Sequence, residues 1–342
     1  MVNLRSVTAF LASLAFCAAH AQSAGKNDEI LRYRGPDREA RLVERAKQEG
    51  SVVLYTSLAP TESGPLGQAF EKKTGIKVEI WRAISEKVVQ RTVAEARAGR
   101  PTVDVVETNG PEMEMMAREN AFREIRSPHL ADLPAASIPK HRLWIPDRLN
   151  FFVVAFNTAK VRKEELPSSY RGFADPRWRG RIGIEATDAE WMATLVKLWG
   201  DEGTAYFRKL AAMKPDMRKG HVLLAQLVAS GEIPVALSAY HSNAESLKRK
   251  GAPIDWVPME PVVARTQGIA IAKNAPHPKE AQAFVDFVLS PEGQALFESM
   301  GRTPVSSRVA TAGRFDYTVV DPVTVLDEQD KWEKIWQGLF LK

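Results

Sequence analysis

The chain has 342 residues, enough for two domains of roughly 100–200 residues each. Hydrophobic residues make up 44% and charged residues 26%, which excludes a largely disordered polymer because there is ample apolar material to bury. The net charge of +5 is spread along the chain without a dense Lys/Arg block interleaved with aromatics, so nucleic acid is not an expected partner.

The first segment reads as a targeting signal. Arg5 is followed by a nearly unbroken apolar or small stretch from Val7 to Ala19, and Ala19-His20-Ala21 supplies a small-residue cleavage pattern. The run is shorter than the ~20 apolar residues of a spanning helix, so residues 1–21 are expected to be a cleaved signal peptide and the mature protein periplasmic. Cys17 is the only cysteine and lies inside this segment, with Phe16 rather than a small residue before it, which argues against lipidation. The mature chain is then expected to carry no disulfide, no thiolate nucleophile and no Cys-based metal site, as suits an oxidising compartment.

Residues 22–37 are polar and contain Gly25, Gly35 and Pro36, and read as an N-terminal arm. Asp37 is placed to cap a helix over 38–48, closed by Gly50. Then Val52–Ser57 reads as a strand, 64–74 as a helix, Lys77–Trp81 as a strand, 86–98 as a helix and Val103–Val106 as a strand, with Pro111 opening a further helix. Asn150–Phe156 and Arg181–Glu185 follow as strands. Met192, Leu195, Val196 and Trp199 keep helical spacing, and 203–213 and 221–229 continue as helices. Pro234–Ser238 is a strand before a polar helix near 242–250, and Gly268–Ala272 is another strand. Ala281, Phe284, Val285, Val288 and Leu289 mark an amphipathic helix, Ser290-Pro291 starts the next, and 325–340 forms the last. Alternating strands and helices predict an α/β protein.

Several segments in consistent order resemble the bacterial extracellular solute-binding proteins of ABC importers, in the branch containing the ferric-ion-binding proteins. They are Leu31–Glu39 with Ala46–Gly50 and the strand VVLYTS, Asp175–Ile184 (DPRWRGRIGI), Gly231–Ala236 (GEIPVA), and Ala281–Phe297 with FVDFVLSPEGQALF. The resemblance implies the two-lobe periplasmic binding protein fold of type II, each lobe a mixed sheet flanked by helices, joined by crossing hinge strands near 150–158 and 264–272. Lobe one would comprise 38–152 plus 268–342, and lobe two 153–267. It also implies a small-molecule ligand held between lobes that close on it, as in hinge closure generally, an inner-membrane ABC permease as partner, and no catalysis.

Open α/β sheets bind ligands beyond the carboxyl ends of their strands, where helix N-termini offer unpaired N–H groups. This selects Thr56, Ser57, Arg82 and Asn109 in the first half, and Thr187, Asp188, Ser238, Tyr240 and His241 in the second, with Trp191 as a stacking aromatic and Lys219 as a cleft cation. Arg82, Lys219 and the helix starts favour a small anionic solute such as a carboxylate, phosphonate or phosphate ester. Asp188, Glu107 and Trp191 would instead suit an amine of the thiamine or polyamine type.

The resemblance also raises ferric iron as the ligand. Its ferric-binding members carry two adjacent tyrosines after the strand equivalent to PVALS; here Ala239-Tyr240-His241-Ser242 offers one. They often add a His after the first strand and a Glu before the third, where this chain has Leu58-Ala59-Pro60 and Arg97–Arg100. No metal or other cofactor is therefore expected, with Fe3+ bound through Tyr240, aided by His241, Glu107 or Glu185, as the alternative. A ligand-presenting sensor domain would use the same lobes. An enzyme is not expected, since there is no G-x-S-x-G, H-E-x-x-H, Walker or G-x-G-x-x-G motif. A monomer is expected, as no long apolar heptad is visible.

Overall fold

The computed structural model describes residues 29–100, 102–309 and 315–341. The expectations about the signal peptide and Cys17 fall outside them. The end of the predicted polar arm is partly structural: residues 29–32 form a helical turn, and Ile30 and Leu31 are buried in the first core.

In chain order the elements are α1 (Arg38–Ala46), β1 (Ser51–Thr56), α2 (Pro60–Thr74), β2 (Lys77–Arg82), α3 (Ser85–Arg97), β3 (Val105–Asn109), α4 (Gly110–Arg118), β4 (Phe122–Arg123) and β5 (Ile145–Asn157). They continue with β6 (Ile182–Glu185), α5 (Ala189–Trp199), α6 (Asp201–Ala212), β7 (Asp216–Arg218), α7 (His221–Ser230), β8 (Val235–Tyr240), α8 (His241–Arg249), β9 (Ile254–Val257) and β10 (Val262–Ala272). The chain closes with α9 (Pro278–Leu289), α10 (Pro291–Ser299), β11 (Thr303–Pro304), β12 (Tyr317–Val319), α11 (Pro322–Asp327) and α12 (Gln329–Phe340).

The main sheet runs β2-β1-β3-β10-β5-β8-β6-β7. The outer strands are parallel on both sides: β1 with β2 and β3, and β6 with β7 and β8. The two central strands are antiparallel to their neighbours, β10 to β3 and β5, and β5 to β8. The result is a mixed open sheet of the expected α/β class, with two βαβ-type halves joined through two long strands. Both β5 and β10 are buried along their whole length.

Four apolar clusters fill the two halves. Leu42, Phe70, Phe284 and Val288 form a core on one face of the first half, and Val88, Met113, Met116 and Trp144 fill the other. In the second half, Trp178, Trp191, Phe207 and Leu210 make one core, and Leu224, Val228, Ala244 and Ile254 the other. Close backbone approach requires glycine at position 268, where a Cβ would lie 2.5 Å from Trp144 Cε3.

Three differences from the sequence reading have physical causes. β5 begins at Ile145 and β10 at Val262, earlier than the apolar runs suggested, because their leading stretches IPDR and VARTQ bury charged side chains that pair with carboxylates elsewhere, Arg148 with Glu107 and Arg265 with Asp188. The predicted helix over 325–340 is broken into α11 and α12. Finally, α12 packs on the second half although the sequence reading places 268–342 in the first lobe: Trp332 and Trp336 enter the core of Trp191 and Phe207.

Candidate functional site

Between the two halves lies a cleft of about 1070 Å³. Its position follows from the topology: β1, β2 and β3 end on one wall and β6 and β8 on the other, so the helices that follow aim their N-termini at the same space. Residues at or beside the starts of six helices line it: Ala59 (α2), Ser85 (α3), Asn109 (α4), Ala189 (α5), Gly220 (α7) and Tyr240 (α8). Each start leaves backbone N–H groups without intrahelical partners and carries the positive end of a helix dipole.

The first wall holds Ser57, Arg82 and Asn109, as expected. Ser57 Oγ accepts a bond from Thr108 Oγ1 at 3.0 Å, and Asn109 Nδ2 donates to Ser85 Oγ at 2.8 Å and Glu112 Oε1 at 3.0 Å. Arg82 is exposed, and its Nε donates to Leu58 O at 3.3 Å. Its terminal nitrogens pair with no carboxylate among the described residues, so its fork is available to a ligand.

The floor comes from the crossing strands and is where sequence reasoning missed most. Arg148 and Asn150 of β5, Arg265 and Gln267 of β10, and Arg302 all line the cleft. Arg148 Nη1 is 2.6 Å from Glu107 Oε1 and 3.0 Å from Asp147 Oδ2. Arg302 Nε donates to Glu62 Oε1 at 2.7 Å, and its Nη1 reaches Asn150 Oδ1 at 3.2 Å and Ser242 Oγ. Burial drives Asp147 up to about 7, with Glu107 adding to the rise and Arg148 opposing it. The only available signal was charged residues inside strand-like stretches, which reads as an edge until the partners are known.

The second wall holds Thr187, Lys219 and Tyr240, as expected, together with Glu185, Glu190 and His221. Arg265 is the hub: it pairs with Glu190, donates to the Tyr240 hydroxyl, and lies 3.5 Å from Asp188 Oδ1. The His221 ring stacks on Tyr240 with centroids 3.5 Å apart, and its Nε2 is 3.2 Å from Asp188 Oδ1. Burial disfavours the His221 cation, but Asp188 and Glu185 outweigh it and hold the imidazole above its usual range. Burial, reinforced by the same carboxylates, pushes the Tyr240 phenol well above its ordinary value. Across the mouth, Lys219 Nζ and Glu86 Oε2 meet at 3.1 Å and bridge the two lips.

The remaining expected site residues stand behind the lining. Thr56 is buried, donates to Glu107 and accepts from the Leu58 amide at 2.9 Å. Ser238 is buried and accepts from the Glu185 amide at 3.1 Å. Asp188 is wholly buried under His221 and Arg265. Trp191 is corrected from a cleft aromatic to a core one: it meets Phe207 edge-on at 5.4 Å and Tyr170 at 5.6 Å. His241 turns out of the cleft onto Trp256 at 4.3 Å, and burial lowers its pKa to about 4. Tyr240 closes β8 and His241 opens α8, and here the two side chains point to different sides of that junction.

The C-terminal segment supplies a further rim that the sequence did not announce. Thr318, Asp321, Thr324, Gln329 and Trp332 line the cleft. Arg118 Nη1 of α4 meets Asp327 Oδ1 at 2.6 Å, while Lys197 Nζ of α5 meets Glu328 Oε2 at 2.8 Å, so the segment touches both halves.

Known proteins share this fold. Iron-bound HitA from Pseudomonas aeruginosa superposes with a TM-score of 0.74 at 23% identity, covering 85% of this chain and 99% of that one. AfuA from Actinobacillus pleuropneumoniae, with fructose-6-phosphate bound, gives 0.75 at 24%, covering 85% and 98%. In sequence, iron uptake protein A1 of Synechocystis is 22% identical over 89% of this chain and 94% of its own length. The major ferric iron-binding protein of Neisseria meningitidis is 25% identical over 76% and 82%. No helix among the described residues is long and apolar enough to cross a membrane. The family model for bacterial extracellular solute-binding proteins matches residues 66–318, spanning both walls and the floor of the cleft, and the chain belongs to that family.

Proposed function

We propose that this solute-binding protein captures a small anionic organic solute, a carboxylate, phosphonate or phosphate ester, in the cleft and delivers it from the periplasm to an inner-membrane ABC permease. The observation that carries this reading is the convergence of helix N-termini on a cleft whose first wall presents Arg82 with an uncommitted guanidinium fork. The other cleft arginines are committed: Arg148 to Glu107, Arg265 to Glu190 and Arg302 to Glu62. Arg82, Ser57 and Asn109 therefore form the anion-binding wall, and Tyr240 and Lys219 meet the solute from the other lobe.

Native mass spectrometry of protein recovered from its own cells, followed by thermal-shift titration with a panel of carboxylates, phosphonates and phosphate esters, tests this. A member of the panel is expected to bind, and Arg82→Ala to weaken it at least tenfold, since bonds to charged groups are worth about 1.5–3 kcal/mol. A silent panel, or an Arg82→Ala protein that binds as well as the parent, refutes the reading.

Ferric iron is the second reading, favoured by the ferric iron-binding proteins among the relatives and by Tyr240 and Glu185 lining the same wall. Against it, the Tyr240 hydroxyl is engaged by Arg265, its ionisation is disfavoured by burial, and His241 faces away. Titration with Fe3+ separates the two: iron held by a phenolate gives a visible charge-transfer band that Tyr240→Phe abolishes.

A further inference from the structure

The second wall contains a charge problem that the anionic-solute reading leaves open. Asp188 and Glu190 share one fixed cation, Arg265, and the nearby Glu185 ion-pairs with no arginine or lysine among the described residues, all in a buried setting. Uncompensated buried carboxylates are costly, and an excess of them needs a proton or a metal ion.

Three of these groups are arranged as ligands. Glu185 ends β6, Asp188 precedes α5, and His221 opens α7. One donor atom from each lies within 4.8 Å of the other two. Their orientations are fixed by neighbours, as outer partners fix the ligands of metal sites. Glu185 Oε1 accepts the Gly220 amide at 2.7 Å, and Oε2 accepts the Thr187 amide at 2.6 Å and hydroxyl at 2.7 Å. Gly220, at a φ of 109°, adopts a backbone conformation that favours glycine and directs that amide to the carboxylate. His221 is clamped flat against Tyr240.

A second observation points into the same place. Asp188 is fully buried, and its Oδ2 has no hydrogen-bond partner, although Oδ1 serves His221 and Arg265. Neither ring nitrogen of His221 has a well-formed hydrogen bond, the Nε2 approach to Asp188 being an ion-pair distance only. An orphaned carboxylate oxygen beside an imidazole without a good partner is what a bound cation would complete.

We infer that Glu185, Asp188 and His221 form a binding site for a divalent transition-metal ion, of the Zn2+ or Mn2+ class, in the wall of the second lobe. Two carboxylate oxygens and one imidazole nitrogen suit such ions, and Glu185 and His221 border the cleft, which leaves entry and remaining coordination positions open on that side. Tyr240 is not a ligand, because Arg265 occupies its hydroxyl. The site lies within one lobe and does not depend on the anionic-solute reading.

The test uses the mature protein stripped of metal and titrated calorimetrically with Zn2+ alone, with no solute present. One ion per chain and a raised melting temperature are expected. His221→Gln and Asp188→Asn, chosen to conserve volume, are each expected to weaken binding at least about tenfold. No stoichiometric uptake, or equal affinity in the parent and both variants, overturns the site. Circular dichroism checks that the variants fold. If either does not, the Co2+ absorption spectrum of the parent protein decides: the intense bands of a four- or five-coordinate ion support the site, and the pale spectrum of aqueous Co2+ refutes it. Zn2+ uptake by a protein that binds no member of the solute panel would support the site and count only against the anionic solute.

Discussion

Asp147 lies near the start of a fully buried strand, against Arg148 and close to Glu107. Burial disfavours its charged form, Arg148 opposes that and Glu107 adds to it, and its pKa rises from 3.8 to about 7. The folded state thus holds this proton more tightly than the unfolded chain. Its contribution to stability is fully present below about pH 4 and is lost as the pH rises to about 7, after which it stays flat. Asp147→Asn, which is neutral throughout, is expected to reduce the fall in melting temperature between pH 5 and pH 8 by a few degrees, as differential scanning calorimetry at the two pH values would show. An identical fall in parent and variant would mean that Asp147 is ionised throughout this range.

At the scale of elements, the last helix holds a position that its sequence alone did not reveal. Trp332 and Trp336 are buried among Trp191, Phe207 and Phe340, and Trp336 Nε1 donates to Ala186 O at 2.7 Å. Trp336→Ala is expected to cost about 3–5 kcal/mol in urea denaturation, the range for deleting a large buried aromatic; a loss below 1 kcal/mol would show that α12 is only loosely docked. The amphipathic spacing of 325–340 was plain, but a periodic stripe does not say which core it meets. The same limit explains which site residues were legible. Ser57, Arg82, Asn109, Thr187 and Tyr240 stand at or just beyond strand ends, which are visible as apolar runs that stop, and Lys219 stands just before a helix whose periodicity is visible. Arg148 and Arg265 lie inside strands, and Arg302 just before one, in stretches that look unfavourable until their carboxylate partners, distant in sequence, are brought beside them. His241 and Trp191 failed for a third reason: one residue of helical phase separates the cleft from the core.

At the scale of the whole molecule, the two halves meet through β5, β10 and the C-terminal segment. Arg302 reaches from the end of the first half to Ser242 at the start of α8, and Lys219 reaches from the second half to Glu86. The Lys219–Glu86 pair is more than half exposed on both sides, so it is screened by salt and holds the lips together only weakly. Small-angle scattering of the solute-free protein is therefore expected to show a larger radius at 0.5 M than at 0.05 M salt, and a Lys219→Met protein no such change; equal radii in the parent at both salts would place closure elsewhere.

The continuous ladder through β3, β10, β5 and β8 has a consequence for how the polypeptide is made. Each half borrows its innermost strand from a stretch that also serves the other, so neither can finish its own hydrogen bonding alone. During synthesis the front portion must wait, incompletely sewn, until residues beyond 262 leave the ribosome.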